Sequence, residues 1–211
     1  MQSKSPIKSK TFKVGITGGI GSGKTLISKV FEILGIPLYN ADERAKWLVA
    51  NNTTIKDLLI KNFGEQSFKD GKLNRSFISS IVFEDQQKLE LLNSIIHPEV
   101  EKDFDNWVEQ HRQYPYVLKE AALLFESGSY KKLDKIISVY SPVDLRIKRL
   151  LIRDTHRTKD DIEKIMQKQM DEEEKKTRAD YVIYNDEKSM VIPQVLKLHE
   201  VFSEQYKLVK S

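Results

Sequence analysis

No cysteine occurs anywhere in the 211 residues, which excludes disulfides, thiolate nucleophiles and cysteine-held zinc. Histidine is scarce as well. His97, His111, His156 and His199 are the only four and no two form an HExxH pair, so no zinc-hydrolase site is expected. No apolar run approaches the roughly 20 residues that a membrane-spanning helix needs. The opening MQSKSPIKSK is basic and polar without an apolar core, so it reads as a flexible tail and not as a signal peptide. A large charge excess is also missing. Thirty-five Lys and Arg against 31 Asp and Glu leave a net charge of +4, and basic residues alternate with acids, as in KDDIEKIMQKQMDEEEKKTR. No long basic stripe results, so neither a nucleic acid nor a membrane is expected as partner. The surplus of cations suits a pocket for phosphorylated small molecules equally well. What remains is a soluble chain fitted to a reducing, cytoplasmic setting. It is long enough for one well-packed domain with a substantial insertion, but not for two large independent domains.

Glycine is sparse but concentrated. Five of the nine glycines fall within residues 15–23, in KVGITGGIGSGKTLIS. Gly18, Gly23, Lys24 and Thr25 satisfy G-x-x-x-x-G-K-[ST]. Loss of side chains at Gly18, Gly19, Gly21 and Gly23 lets the backbone N–H groups of the loop, with those of Ile20 and Ser22, wrap a phosphate. A helix starting near Lys24 adds unpaired N–H groups and a favourable dipole. Lys24 reaches the β- and γ-phosphates, and the Thr25 hydroxyl can ligate Mg²⁺. The context agrees: TFKVGIT reads as a buried strand before the loop, TLISKVFEILG as a helix after it, and IPLYN as a second strand. The helical spacing runs through Leu26, Val30, Ile33 and Leu34, with Gly35 as the stop. The loop therefore predicts binding of a nucleoside triphosphate. It does not say whether water or a bound hydroxyl receives the phosphate.

The remaining chain alternates between the same two patterns. Residues 42–112 read as helices with a break near Asn51 and an interruption or helix start at Pro98, and without a clear strand. Strands return at YVLKE (116–120), KIISVYS and YVIYN, separated by a charged helical stretch over 143–178 and followed by a final helix. The pattern predicts an α/β fold, a five-stranded parallel sheet flanked by helices, with a helical insertion after the second strand.

Several side chains beyond the loop are candidates for chemistry. Asp42, in YNADERA, sits just past the second strand, at the sheet end that faces a ligand crevice. It can take a proton from an acceptor hydroxyl, hold Mg²⁺ through water, or cap the next helix. Glu120 ends the third strand and either orients water around Mg²⁺ or caps the turn, and Glu126 is a weaker candidate of the same kind. Arg146, Arg149 and Arg153 are spaced three and four apart, on one helix face. They suit a lid closing on nucleotide phosphates, or a solvated face answered by Asp154, Asp160 and Asp161. His97, before Pro98, is an acceptor contact or a packing residue. Tyr39, Phe63, Phe77, Phe83 and Trp107 are expected mostly in cores.

Ten segments in series then resemble one family. They are GITGGIGSGKT (15–25), LGIPLYNAD (34–42), FG (63–64), DGKLNR (70–75), VF (82–83), LNSIIHPEV (92–100), ALLFESG (122–128), RLLIRD (149–154), IMQKQM (165–170) and ADYVIYND (179–186). In order and content the chain resembles the dephospho-CoA kinases, P-loop kinases that complete coenzyme A synthesis. The resemblance implies a nucleotide-binding core over 1–41, 114–142 and 179–211, a helical acceptor domain over 42–113, and a helical lid over 143–178. It implies ATP as donor with Mg²⁺, the ribose 3′-hydroxyl of dephospho-CoA as acceptor, and a monomer or weak homo-oligomer. On this resemblance Asp42 is the base, Lys24 and Thr25 contact phosphate and Mg²⁺, and Arg149 and Arg153 are lid arginines. Arg75 and His97 fall on the acceptor side and Asn185 near the adenine. Two positions depart from the family's usual pattern: Asn40 stands where an aspartate is common, and Ala122 where a proline is. If the lost carboxylate helped to organise Mg²⁺, Glu120 is the candidate to replace it. The rival readings are a kinase for another small acceptor, such as a nucleoside monophosphate, and a non-enzymatic ATP-dependent switch.

Overall fold

The structure, a computed structural model, describes residues 11–210. The tail expected over MQSKSPIKSK lies outside them. In chain order, β1 (Phe12–Thr17) leads through the glycine loop into α1 (Lys24–Ile33) and β2 (Leu38–Asn40). Next come α2 (Ala41–Asn51), α3 (Thr53–Phe63), β3 (Phe68–Lys69), β4 (Lys72–Leu73), α4 (Arg75–Glu84) and α5 (Gln86–Gln110). The chain continues with β5 (Tyr116–Glu120), β6 (Lys135–Tyr140), α6 (Val143–Arg153), α7 (Lys159–Gln167), α8 (Glu172–Arg178), β7 (Tyr181–Tyr184) and α9 (Val191–Lys210). These residues divide into two compact units, one joining the chain up to Tyr39 with the chain from Val108, the other spanning Asn40–Trp107. No helix of the described residues is long and apolar enough to cross a membrane.

The first unit is built on a parallel sheet of five strands in the order β2-β5-β1-β6-β7. Central β1 pairs Ile16 with Glu120 of β5 on one side and with Ile137 of β6 on the other. Its two neighbours lie on opposite sides, so a crevice opens beyond its carboxyl end, where the glycine loop starts. Val14, Ile16, Leu118, Ile137, Val139 and Ile183 are buried with Ile27 and Phe31 of α1 and Val195 and Phe202 of α9. Burying strands on both faces explains why they read as apolar runs and not as alternating ones.

The α1 face differs from the expected one. Ile27 and Phe31, four apart, are fully buried, whereas Leu26 and Ile33 are 67% and 84% exposed. Val30 and Leu34 pack against the edge of the core. The apolar residues of α1 share one arc of about 160°, and packing against the sheet buries the edge that carries Ile27 and Phe31 while the edge with Leu26 and Ile33 stays outside. The stop at Gly35 holds: Gly35 N–H donates to Glu32 at 2.9 Å and Ile36 N–H to Phe31 at 3.1 Å, which closes the helix end.

The second unit corrects two expectations. It contains a hairpin, β3 with β4, pairing Phe68 with Leu73 and Lys69 with Lys72. Asp70 (φ 52°) and Gly71 (φ 74°) make its two-residue turn. An Asp-Gly pair is the usual signal for such a turn, but strands of two residues leave no periodicity to read. Pro98 neither starts nor interrupts a helix; it lies inside the continuous 25-residue α5. An internal proline costs about 3 kcal/mol, which burial of Ile95, Val100 and Phe104 on the same helix offsets. The break near Asn51 is real, since Asn52 caps α3 by accepting from Ile55 N–H at 3.2 Å. Asn52 also donates to Glu99 of α5 at 2.9 Å, and Arg44 Nε donates to Asp103 of α5 at 2.9 Å. Ile55, Leu59, Phe63 and Ile78 supply buried apolar surface, whereas Phe83, expected in a core, is 67% exposed.

Candidate active site

The glycine loop lines a cavity of about 410 Å³ with Leu26, Ala122, Arg149, Leu150, Arg153 and Gln169. Gly21 (φ 82°) and Gly23 (φ 90°) occupy the left-handed region, which other residues enter only with strain. Gly23 is also the N-cap of α1, and a Cβ there would run into the Asn185 amide. The loop thus turns its backbone toward the cavity and ends on the N-terminus of a helix, a ready-made anion site.

Lys24 and Thr25 converge on one acid. Lys24 Nζ lies 3.0 Å from Glu120 Oε1, and Thr25 Oγ1 donates to the same oxygen at 2.6 Å. Glu120 is only 1% exposed, and its Oε2 is buried without a hydrogen-bond partner among the described residues. A buried carboxylate oxygen left unmatched is costly. A hydrated divalent cation beside Thr25 would supply the missing donor. Mg²⁺ takes one or two protein oxygens together with phosphates and water, and no group of three or more His, Cys, Asp or Glu among the described residues is arranged to hold a metal ion by itself.

The three arginines of α6 separate. Arg149 lines the cavity and donates to Ser141 Oγ at 3.0 Å and to the Asn185 carbonyl at 3.2 Å. Arg153 also lines it, with its guanidinium held in a two-pronged bond to Asp154 at 2.8 and 2.9 Å. That bond holds the Asp154 carboxyl below its ordinary value of 3.8. A depressed folded value stabilises fully above the unfolded one and fades as pH falls through the folded one. The stability difference between the wild type and Asp154→Asn, followed by acid titration of thermal unfolding, is therefore expected to be constant at neutral pH and to shrink below pH 3.8.

Arg146 is not on the cavity wall. It is 2% exposed, donates from Nε to the Ile20 carbonyl at 2.9 Å and pairs with Glu172 at 3.3 Å. Burial lowers its pKa, and the Glu172 charge opposes that shift. Glu172 also accepts from Gly19 N–H at 3.4 Å, and Gln169 from Ile20 N–H at 2.9 Å. Fully buried Lys175 lies 3.4 Å from Glu126 and 3.6 Å from Glu172, and Glu126 accepts from Met170 N–H at 2.8 Å. Glu126 therefore anchors the chain before α8 and does not line the cavity. Sequence reasoning missed Gln169, Glu172 and Lys175. The first was visible only inside the IMQKQM motif, and the other two look like ordinary members of a charged helix.

In the second unit, Asn40 and not Asp42 is the N-cap of α2, accepting from Glu43 N–H at 3.0 Å. This removes capping as the reason for Asp42, which is an exposed residue of the first turn of α2. It also gives Asn40 a role that needs no negative charge, because Asn caps as well as Asp. Arg75 opens α4 behind its cap, Asn74, and His97 lies on α5. In the first unit, Asn185 follows β7 and donates to the Ser22 carbonyl at 2.7 Å.

Comparison with known proteins agrees with this geometry. The family model described as dephospho-CoA kinase matches residues 12–190. A dephospho-CoA kinase of Bacteroides fragilis (strain YCH46) is 40% identical over 189 residues, covering 88% of this chain and 90% of that protein. One from Porphyromonas gingivalis is 34% identical over 187 residues, covering 89% and 92%. Among solved structures, TT1252 from Thermus thermophilus superposes with a TM-score of 0.77 at 28% identity, covering 92% of this chain and 97% of that one. Dephospho-CoA kinase from Campylobacter jejuni superposes with a TM-score of 0.66 at 25% identity, covering 92% and 98%. The chain belongs to the dephospho-CoA kinase family.

Proposed function

We propose that this chain transfers the γ-phosphoryl group of ATP to the ribose 3′-hydroxyl of dephospho-CoA, giving CoA and ADP. The observation that carries the reading is the family match over residues 12–190, which spans the nucleotide loop and the whole of the Asn40–Trp107 unit. The Lys24–Glu120–Thr25 arrangement supports it chemically.

The loop from Gly18 to Thr25 binds the ATP phosphates. Lys24 and Arg149 follow the negative charge as it moves from the γ-phosphoryl to the leaving ADP. Asp42 orients the acceptor hydroxyl and takes its proton, late in a loose transition state. Thr25 and Glu120 would hold Mg²⁺, and the cation would supply charge neutralisation for the phosphates. Arg153 and Asn185 complete the nucleotide side, Arg75 and His97 the acceptor side. The Asn40–Trp107 unit carries dephospho-CoA, and α6 to α8 act as the lid. The protein works in the cytoplasm as a monomer or weak homo-oligomer, on a small molecule and not a nucleic acid.

The test is ADP release with ATP and Mg²⁺ across an acceptor panel of dephospho-CoA, AMP, other nucleotides and none. The expected result is a rate that depends on dephospho-CoA. Preference for AMP would move the assignment to a nucleoside monophosphate kinase, and ATP binding without any turnover to a switch. The Glu120 role has its own check. Glu120→Gln keeps the shape and removes the charge, so kcat should fall about 10- to 100-fold. The Mg²⁺ concentration giving half-maximal rate should rise with it, whereas an unchanged Mg²⁺ dependence would assign Glu120 to positioning Lys24 alone.

A further inference from the structure

The amides of a phosphate-binding loop help only if they point at the phosphate. Glycine does not decide this. With no Cβ, the peptides before Gly21 and Gly23 can turn either way at little cost. The freedom that lets the loop approach a phosphate also leaves its donors unaimed. Something outside the loop must hold each peptide in one orientation.

Two side chains are placed to do so. Arg146 Nε donates to the Ile20 carbonyl at 2.9 Å, and Asn185 Nδ2 donates to the Ser22 carbonyl at 2.7 Å. Neither Arg146 nor Asn185 lines the cavity, so both bind the loop from behind. A peptide is planar and trans, and its C=O and N–H point in opposite directions. No cis peptide occurs among the described residues. Holding the Ile20 oxygen away from the cavity therefore aims the Gly21 N–H into it, and holding the Ser22 oxygen does the same for the Gly23 N–H. Three other amides of the loop are already engaged: Gly19 N–H by Glu172, Ile20 N–H by Gln169, and Ser22 N–H by the Gly19 carbonyl.

We propose that Arg146 and Asn185 are positioning residues that set the peptide orientation of the phosphate loop, each aiming one glycine amide at the bound phosphates from behind. The two act separately, since they hold different peptides and come from different elements, α6 and the end of β7. Each is in turn held. The Arg146 guanidinium pairs with Glu172, and the Asn185 carbonyl accepts from Arg149. This extends the nucleotide-loop reading and rests on it. It gives Asn185 a task toward the loop, distinct from contact with adenine.

The experiment is amide-resolved ¹H–¹⁵N NMR of the whole chain, titrated with ADP and Mg²⁺, for wild type, Arg146→Met, Arg146→Gln and Asn185→Asp. In the wild type, ADP should move both the Gly21 and Gly23 amides downfield. Arg146→Met has no donor, and should lose the Gly21 shift while keeping that of Gly23. Asn185→Asp places an acceptor against the Ser22 carbonyl, and should lose the Gly23 shift while keeping that of Gly21. ADP affinity should fall on the order of 10- to 100-fold in each. Arg146→Gln retains an N–H donor and should recover most of the Gly21 shift. A purely structural role would not give this crossed pattern. Wild-type shifts and affinity in both variants, or uniform loss of all loop shifts in each, would overturn the proposal while leaving the loop's nucleotide role intact. Failure of ADP to move the wild-type loop would instead overturn the nucleotide reading. Should Arg146→Met fail to fold, Asn185→Asp and Arg146→Gln decide the matter.

Discussion

Lys24→Ala is expected to lower kcat/KM by about 10³-fold or more, because it deletes one of the two cations, Lys24 and Arg149, that follow charge onto the leaving ADP. The structure adds a second expectation. Lys24 is the cation paired with Glu120, at 3.0 Å. Removing one partner of a buried pair costs about 3–5 kcal/mol where water cannot replace it. The Lys24 side chain lines an open cavity and is 13% exposed, so water will restore part of that loss. The single variant should therefore be both inactive and less stable. Activity and stability are separable by adding Glu120→Gln, which relieves the unpaired charge. The double variant Lys24→Ala/Glu120→Gln should regain thermal stability and remain inactive. Recovery of turnover together with stability would mean that Lys24 serves only to neutralise Glu120.

Asp42→Asn is the second large effect. A positioned general base contributes typically 10²- to 10⁴-fold, and turnover should fall by about that much while ATP affinity holds. The substitution is mild for the fold. Asn40 is the cap of α2, and Asp42 sits in its first turn. The lost charge–dipole interaction amounts to about 0.3–1 kcal/mol. Steady-state kcat beside ATP affinity by calorimetry tests the pair of expectations. A fall in ATP affinity with unchanged kcat would make Asp42 a binding or metal residue and leave the acceptor hydroxyl without a base.

Much of this was legible in the residues. The nucleotide loop was readable because its chemistry demands glycine at fixed positions and a Lys-Thr pair directly after them. The five strands were readable because a sheet covered on both faces leaves compact apolar runs. Glu120 was found as the last residue of a strand beside β1, and its pairing with both Lys24 and Thr25 explains its burial. Three other features were hidden for physical reasons. The buried face of α1 was hidden because Leu26 and Ile33 widen the apolar stripe beyond the part that packs, so spacing did not mark the Ile27–Phe31 edge as the buried one. The hairpin at Phe68–Leu73 is too short to alternate. The positions of Arg146, Glu172 and Lys175 depend on where α6 and α8 meet the loop, and spacing along one helix carries no such information. Spacing placed Arg146 with Arg149 and Arg153 on one face, but packing against Ile20 turned it into a buried support.

The departure at Asn40 follows the same lesson. Read as a lost carboxylate, it raised a question about Mg²⁺. In the structure its side chain accepts from Glu43 N–H as a helix cap. The carboxylate with a free oxygen beside the loop is Glu120.

The central claim is transfer of one phosphoryl group to the 3′-hydroxyl of dephospho-CoA. The most direct measurement is identification of the product made from ATP, Mg²⁺ and dephospho-CoA, by mass and by ³¹P NMR of the ribose phosphate. The account predicts a product one phosphoryl group heavier, with a new monoester at the 3′ position, and ADP in equal amount. ADP released while dephospho-CoA stays unmodified, or a phosphoryl group found elsewhere on the acceptor, would contradict it.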